Sequence, residues 1–303
     1  MKKILIIGAN GFLGTNILSL KDPNHKFNNE LVFIAADIHN SLIPQNIIFH
    51  NIDITNYYNT YKKIRKINPD VIILTAAMTD VDQCEISKKL ATKINFNGPI
   101  NVLKAVKKVN SKLLFISTDF VFDGEKKNGG YKEDELPNPL SFYAKTKYDA
   151  EIAIINYDID YLICRTAVLY GWFKYKLNYI TWIINKLQSR EKISIVTSQI
   201  NSPTYVINLA EILLKLIQKD GQGIYHTAGN GFYNRYDIAI KCAEIFNFDK
   251  DLITPIEKIE QKAIRPKNVG LDISKLKKFL KLELNVFNLD DGLKHMKNNL
   301  MNN

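Results

Sequence analysis

The chain opens on a strand that runs directly into glycines, an arrangement that narrows the fold to a few choices. Lys3 to Ile7, K-I-L-I-I, is a short apolar run of the kind buried on both faces of a parallel sheet. Gly8-Ala9-Asn10-Gly11-Phe12-Leu13-Gly14 follows, and its G-x-x-G-x-x-G spacing predicts a tight turn into a helix that begins near Phe12. Gly8, Gly11 and Gly14 let a pyrophosphate approach the backbone at the helix's positive end, beside Phe12 and Leu13 in the first turn. A glycine cluster alone is weak evidence, but a second apolar run, Leu31 to Ala36, ends in Asp37, twenty-three residues beyond Gly14. That carboxylate is placed to accept hydrogen bonds from the ribose hydroxyls of an adenosine, and no arginine follows it to receive a 2′-phosphate. NADH is therefore the expected cofactor, with NADPH still admissible.

The same alternation continues. Lys21 to Glu30 reads as an exposed polar loop, and Ile47 to Asn51 as a third strand. Asp53 and Ile54 then stand where they could bracket an adenine, with a cap for the helix from Asn56 onward as the equal alternative for Asp53. That helix gives way at Pro69 to a fourth strand, Val71 to Leu74. Ala76, Ala77 and Thr79 sit at its tip, and the alanines leave room either for the cofactor or for packing. A long helical region, Asp82 to Val109, holds Asn95 and a bend at Asn97-Gly98-Pro99; Asn95 reads as a backbone partner near the site or as a helix-surface residue. Leu113 to Ile116 and Tyr161 to Cys164 are further strands. Strands and helices joined by short links imply right-handed crossovers and an α/β, doubly wound, Rossmann-like parallel sheet.

From Gly171 the regularity loosens. Trp172, Phe173, Tyr175, Tyr179 and Trp182 read as core or interface aromatics. Ile193 to Val196 is a strand, Ser202-Pro203 reads as the N-cap and first-turn proline of a helix extending over Val206 to Ile217, and Ile224 to His226 is a late strand. The expected division is a dinucleotide-binding domain over 1–168, with 193–219 returning to it. The remainder, 169–192 and 220–303, forms a smaller, discontinuous α/β substrate-binding domain.

Chemistry concentrates between Ser117 and Lys147, in S-T-D-F-V-F-D-G and Y-A-K-T-K. Thr118 and Asp119 fall at a strand's carboxyl end, where open α/β sheets bind ligands. Tyr143 and Lys147 stand four apart in the first turn of a helix and so point the same way. A cation beside a phenol favours the phenolate, bringing tyrosine toward the working range of a general acid or base. Y-x-x-x-K alone recurs by chance, and its value depends on the cofactor site upstream.

Other classes have little to stand on. The formal charge of +10 comes from lysines spread over helix faces, without a basic run or interleaved aromatics, so nucleic acid is not expected as a partner. A positive field would instead steer a diphosphate toward a cleft. No apolar run approaches the eighteen or so residues of a membrane span. Cys84, Cys164 and Cys242 are odd in number and far apart, as free thiols of a cytoplasmic protein would be. His25, His39, His50, His226 and His295 never pair with carboxylates at ligand spacing, so no metal site is expected. Neither a G-x-S-x-G elbow nor a G-K-[ST] phosphate loop is present.

G-A-N-G-F-L-G, Asp37, S-T-D-F-V-F-D-G, Y-A-K-T-K, S-P-T-Y and R-P-K-N-V-G-L-D occur in this order, and P-D-V-I-I-L-T-A-A-M-T-D-V-D-Q-C-E lies among them. Together they resemble the extended short-chain dehydrogenase/reductase superfamily, and within it the dTDP-4-dehydrorhamnose reductases, over nearly the whole length. The resemblance implies a catalytic group of Thr118, Tyr143 and Lys147 acting on a keto-sugar nucleotide. Tyr143 would give the proton, Lys147 would lower its pKa and hold the nicotinamide ribose, and Thr118 would bind the same oxygen. It places Asp119, Phe120, Val168, Thr204 and Arg265 near a nucleotide-diphosphate sugar, with Arg265 as diphosphate partner. Two departures stand out: Val168 where the family carries a tryptophan against the sugar, and Thr75 where it carries asparagine. The sugar and the base stay open, as does a homodimer. So do two other classes, an epimerase or dehydratase and a non-catalytic dinucleotide-binding regulatory subunit.

Overall fold

A computed structural model of the chain describes residues 1–21, 31–258, 260–281 and 283–301. Most of the loop expected over Lys21 to Glu30, and His25 with it, lies outside them. The first half alternates as the sequence predicts: β1 (Lys2–Ile7), α1 (Phe12–Ser19), β2 (Leu31–Asp37), β3 (Ile48–Asn51), α2 (Tyr57–Ile67) and β4 (Val71–Leu74). The long helical region is broken into α3 (Val81–Ile86), α4 (Lys88–Thr92), a π-helical turn over Lys93–Asn97, and α5 (Gly98–Val109). Then come β5 (Lys112–Thr118), a 3₁₀ turn over Asp119–Val121, α6 (Phe142–Ile155) and β6 (Tyr161–Thr166).

The later chain is made of shorter pieces. They are β7 (Leu169–Tyr170), α7 (Tyr179–Gln188), β8 (Ile193–Val196), β9 (Ile200–Asn201), β10 (Thr204–Tyr205), α8 (Val206–Gln218) and β11 (Gly223–His226). After these come β12 (Tyr233–Asn234), α9 (Arg235–Phe246), β13 (Ile253–Ile256), α10 (Ser274–Leu280) and α11 (Leu289–Met301).

Seven parallel strands form the large sheet, in the order β11-β6-β5-β4-β1-β2-β3. Chain order reverses between β1 and β4, and at such a point the loops leaving the carboxyl ends diverge and open a crevice. Apolar residues on both faces explain why the strands read as continuous hydrophobic runs: Ile4 and Ile6 join one core with α1 and α8, while Leu5 and Ile7 join the other with α2 and α5. A third cluster gathers α7, α9, β8, β13 and α11 on the far side of the cleft.

Two strands lie elsewhere than the sequence division has them. β11 pairs with β6 at the edge of the large sheet, whereas β8 leaves that sheet and pairs with β13. Neither strand is long enough for its sequence to specify a partner. Ser202 is also not a helix cap: α8 starts at Val206, residues 204–205 pair with β7, and the Ser202 hydroxyl accepts from the Leu271 amide at 3.1 Å.

Candidate active site

The glycine turn is fixed by contacts that only glycine permits. Gly8 has φ +93°, and a Cβ there would lie 2.5 Å from the Ala76 amide nitrogen; one on Gly14 would lie 2.3 Å from the Gly8 carbonyl oxygen. A Cβ on Gly11, by contrast, meets only the Gly8 carbonyl oxygen, at 3.1 Å. The edge of the turn at the start of α1, where Phe12 and Leu13 follow, is thus open enough for a pyrophosphate. Thr75 contributes from β4's tip, donating to the carbonyls of Ile7 and Gly8 at 3.0 Å each. The threonine found where the family has asparagine therefore buttresses the turn.

Asp37 closes β2 beside this turn. Its carboxylate accepts from the Asn10 amide at 2.9 Å and the Ile38 amide at 2.7 Å, which leaves lone pairs for ribose hydroxyls. Asp53 and Ile54 are more committed. Asp53 holds Thr55 through the amide (2.9 Å) and hydroxyl (2.8 Å), while Asn56 rather than Asp53 caps α2. Ile54 is buried against Gly98, so its side chain belongs to the core and is not free to flank an adenine. Ala76 and Ala77 are partly buried and Thr79 is exposed on the same lip.

Asn95 is a backbone clamp. Its amide oxygen accepts from the Met78 amide at 2.8 Å and its Nδ2 donates to the Met78 carbonyl at 3.0 Å. Nδ2 also lies 3.4 Å from the Thr146 hydroxyl, next to Lys147, so Asn95 ties the loop after β4 to α6. It sits in the π-helical turn, a distortion of the kind often found at functional sites.

Thr118 ends β5, and Ser141 caps α6 so that Tyr143 and Lys147 enter in its first turns. The Thr118 hydroxyl lies close enough to the Tyr143 phenol to act on its titration. Burial pushes the phenol well above its ordinary pKa, with Thr118 offsetting part and the nearby Asp119 adding to the rise. The lowering by Lys147 expected from the sequence is therefore not what this geometry gives. Lys147 is itself 3% exposed, with its ammonium 3.9 Å above the Phe115 ring centroid, and desolvation brings its pKa down to about 7. A tyrosine kept protonated is the form that a proton donor requires.

Behind this group lies a chain of polar contacts. Thr118 donates to Asp119 Oδ1 at 3.1 Å, and Asn201 of β9 donates to Asp119 Oδ2 at 2.9 Å. Asp119 is 3% exposed, and burial raises its carboxyl to about 6 against the pull of Asn201 and Thr118. It faces inward, as a support for Thr118. Phe120 packs against the core with part of its surface open. One turn past Lys147, Glu151 and Arg165 form a fully buried ion pair at 2.7 Å that pins α6 to β6.

Three of the residues placed near a sugar nucleotide differ in kind. Val168 adopts φ +42°, a strained conformation for a β-branched residue of the sort that marks functional loops. Thr204 is buried, its hydroxyl donating to Ser202 and accepting from the Gly229 amide at 3.1 Å each, so it props the loop and does not present itself to the cleft. Arg265 is closed on Asp82 through both guanidinium nitrogens, at 2.8 and 3.1 Å, and the pair holds the Asp82 carboxyl down to about 2. The guanidinium expected as a diphosphate partner is thus already held in an ion pair. Sequence reasoning passed over Asn201, which lies in the two-residue β9, and Arg235, at the start of α9.

A site of this kind, opening where the strand order of a parallel sheet reverses, is that of an extended short-chain dehydrogenase/reductase. The chain belongs to the RmlD substrate binding domain family, whose pattern matches residues 1–301. It is similar to the dTDP-4-dehydrorhamnose reductase of Aggregatibacter actinomycetemcomitans, with 31% identity over 91% of this chain and 92% of that protein. It is also similar to the methionine adenosyltransferase 2 subunit beta of Xenopus laevis, with 34% identity over 71% of this chain and 66% of that one. The crystal structure of dTDP-4-dehydrorhamnose reductase from Bacillus anthracis in complex with NADP superposes with a TM-score of 0.84 at 31% identity, over 98% of this chain and 99% of the other.

Proposed function

We propose that the chain is an NAD(P)H-dependent reductase of a nucleotide-linked 4-keto-6-deoxy sugar, serving deoxysugar and cell-surface polysaccharide synthesis. One arrangement carries the reading: Thr118 at the carboxyl end of β5, with Tyr143 and the buried Lys147 one turn apart at the start of α6, beside an open glycine turn. The named reductases among its relatives support the substrate class. When bound, the reduced nicotinamide supplies the hydride for the keto carbon. Tyr143 gives the carbonyl oxygen its proton and is re-protonated from solvent. Thr118, held by Asp119, fixes the phenol's direction, and Lys147, titrating near neutrality, regains full charge if a ribose hydroxyl or the tyrosinate comes within reach.

We assign the cofactor to the large sheet and the sugar nucleotide to the part built on α7, α9, β8 and β13. Three buried, unbridged cysteines fit a cytoplasmic setting, and among the described residues no helix is long and apolar enough to cross a membrane. A homodimer is proposed on the exposed Leu90, Ile152 and Ile155 of α4 and α6, and a monomer mass in solution would remove it. The similarity to a methionine adenosyltransferase subunit supports a second reading, a dinucleotide-binding partner of another enzyme. Oxidation of NADH and NADPH against a panel of nucleotide 4-keto-6-deoxy sugars separates the two. Turnover with any of them supports the reductase, and binding of dinucleotide without turnover of any sugar supports the subunit.

A further inference from the structure

Arg235 is the first residue of α9 and directly follows β12, whose Tyr233 pairs with Asn201, the residue that holds Asp119. Its backbone is fixed: the amide donates to the Gln199 carbonyl at 3.1 Å, and the carbonyl accepts from the Tyr179 hydroxyl at 2.8 Å. Its guanidinium lies over the Tyr179 ring, 4.6 Å from the centroid. Among the described residues no carboxylate comes within ion-pair distance of it, and no side-chain or carbonyl oxygen accepts from it. Every electrostatic neighbour except Asp119 and the tyrosine works against it. It is desolvated, it feels the charge of Arg265, and it occupies the end of a helix where cations are disfavoured.

A partly buried guanidinium with no carboxylate within ion-pair distance among the described residues, close enough to Arg265 to feel its charge, is suited to an anion that enters beside it. The Tyr179 stack holds the planar group in place without consuming its donors, so the fork stays available for bidentate binding. Arg265, in contrast, has already given two nitrogens to Asp82. We propose that Arg235 is the anion-binding residue of the substrate site and takes the diphosphate of the nucleotide sugar, with Arg265 in support from its ion pair. This rests on the reductase reading above and names the group within it that anchors the substrate.

The test is calorimetric titration of the full-length chain and its Arg235→Gln and Arg235→Lys variants with dTDP and UDP, beside NADH titration and melting curves. Arg235→Gln is expected to weaken the nucleoside diphosphates by about 10- to 100-fold, the range for a hydrogen-bonded charge, at unchanged NADH affinity and melting temperature. Arg235→Lys keeps the charge but not the fork and should recover only part of the loss. If Arg235→Gln binds dTDP and UDP like wild type, or loses NADH affinity equally, the proposal is overturned while the reductase reading stands. Should Arg235→Gln melt early, Arg235→Lys decides: early melting there too would make Arg235 a structural residue. A wild-type chain that binds neither nucleoside diphosphate would remove the nucleotide-sugar reading and this proposal together.

Discussion

The two sides of the cleft are built by different means. On the side proposed for the dinucleotide, Gly8, Gly11, Gly14 and Asp37 lie within thirty residues, and each is placed by its own backbone or that of an adjacent strand. On the side proposed for the sugar, Asp119, Asn201, Arg235 and Arg265 come from four separate segments that meet around β9. The first side is local geometry, and the second is a set of long-range coincidences. It follows that the cofactor side should tolerate little change in shape, whereas the sugar side is free to exchange charged partners. The two arginines illustrate this, one closed on Asp82 and the other stacked on Tyr179 with no carboxylate partner among the described residues.

The strongest test of that contrast is Tyr143→Phe, which sits where the sides meet. Turnover should fall by about a hundred- to ten-thousandfold while NADH affinity stays near wild type, because only the proton donor is removed. Near-normal turnover would end the assignment of Tyr143. Next comes Glu151→Gln, which leaves Arg165 buried without its counter-charge behind both sides and should cost about 3–5 kcal/mol in denaturant unfolding. A loss well below that would mean that β6 and α6 relax independently.

Gly14→Ala probes the rigid side alone. The new methyl meets backbone at 2.3 and 2.7 Å, with no flexible side chain to give way, so a loss of about 1–3 kcal/mol in stability is expected together with weaker dinucleotide binding. On the same side, Asp37 should favour NADH over NADPH by about five- to a hundredfold, from a like-charge contact of roughly 1 to 3 kcal/mol. Equal affinities in parallel titrations would show that the carboxylate's bonds to Asn10 and Ile38 are its whole role.

The smallest effect belongs to Asp82→Asn, which opens the Arg265 fork at a partly exposed position. At neutral pH it should cost no more than about 1 kcal/mol. The Asp82 carboxyl is depressed in the folded chain, from 3.8 to about 2, so its stabilisation is complete above 3.8 and is lost as pH falls through 2. Melting curves of wild type and variant should therefore converge over that interval. A gap that persists below it would assign the difference to packing.

What the sequence determined by itself is whatever is encoded in neighbouring residues. Apolar runs in period with short helices predicted a doubly wound parallel sheet, though not β11 at its edge; glycine spacing predicted the turn; and Y-A-K-T-K placed Tyr143 and Lys147 on one face of a helix, with Thr118 added by the resemblance. What only the tertiary structure decided depends on partners far away in the chain. The sign of the Tyr143 shift follows from burial, a property of the folded chain. Two-residue strands such as β9 and β10 carry no periodicity to read, so Asn201 beneath Asp119 and Thr204 turned inward were beyond reach. Arg235 and Arg265 look alike in sequence, and the pairing of Arg265 was settled by Asp82, 183 residues away from it. A guanidinium's role is fixed by the nearest carboxylate in space, and that distance is a property of the folded chain alone.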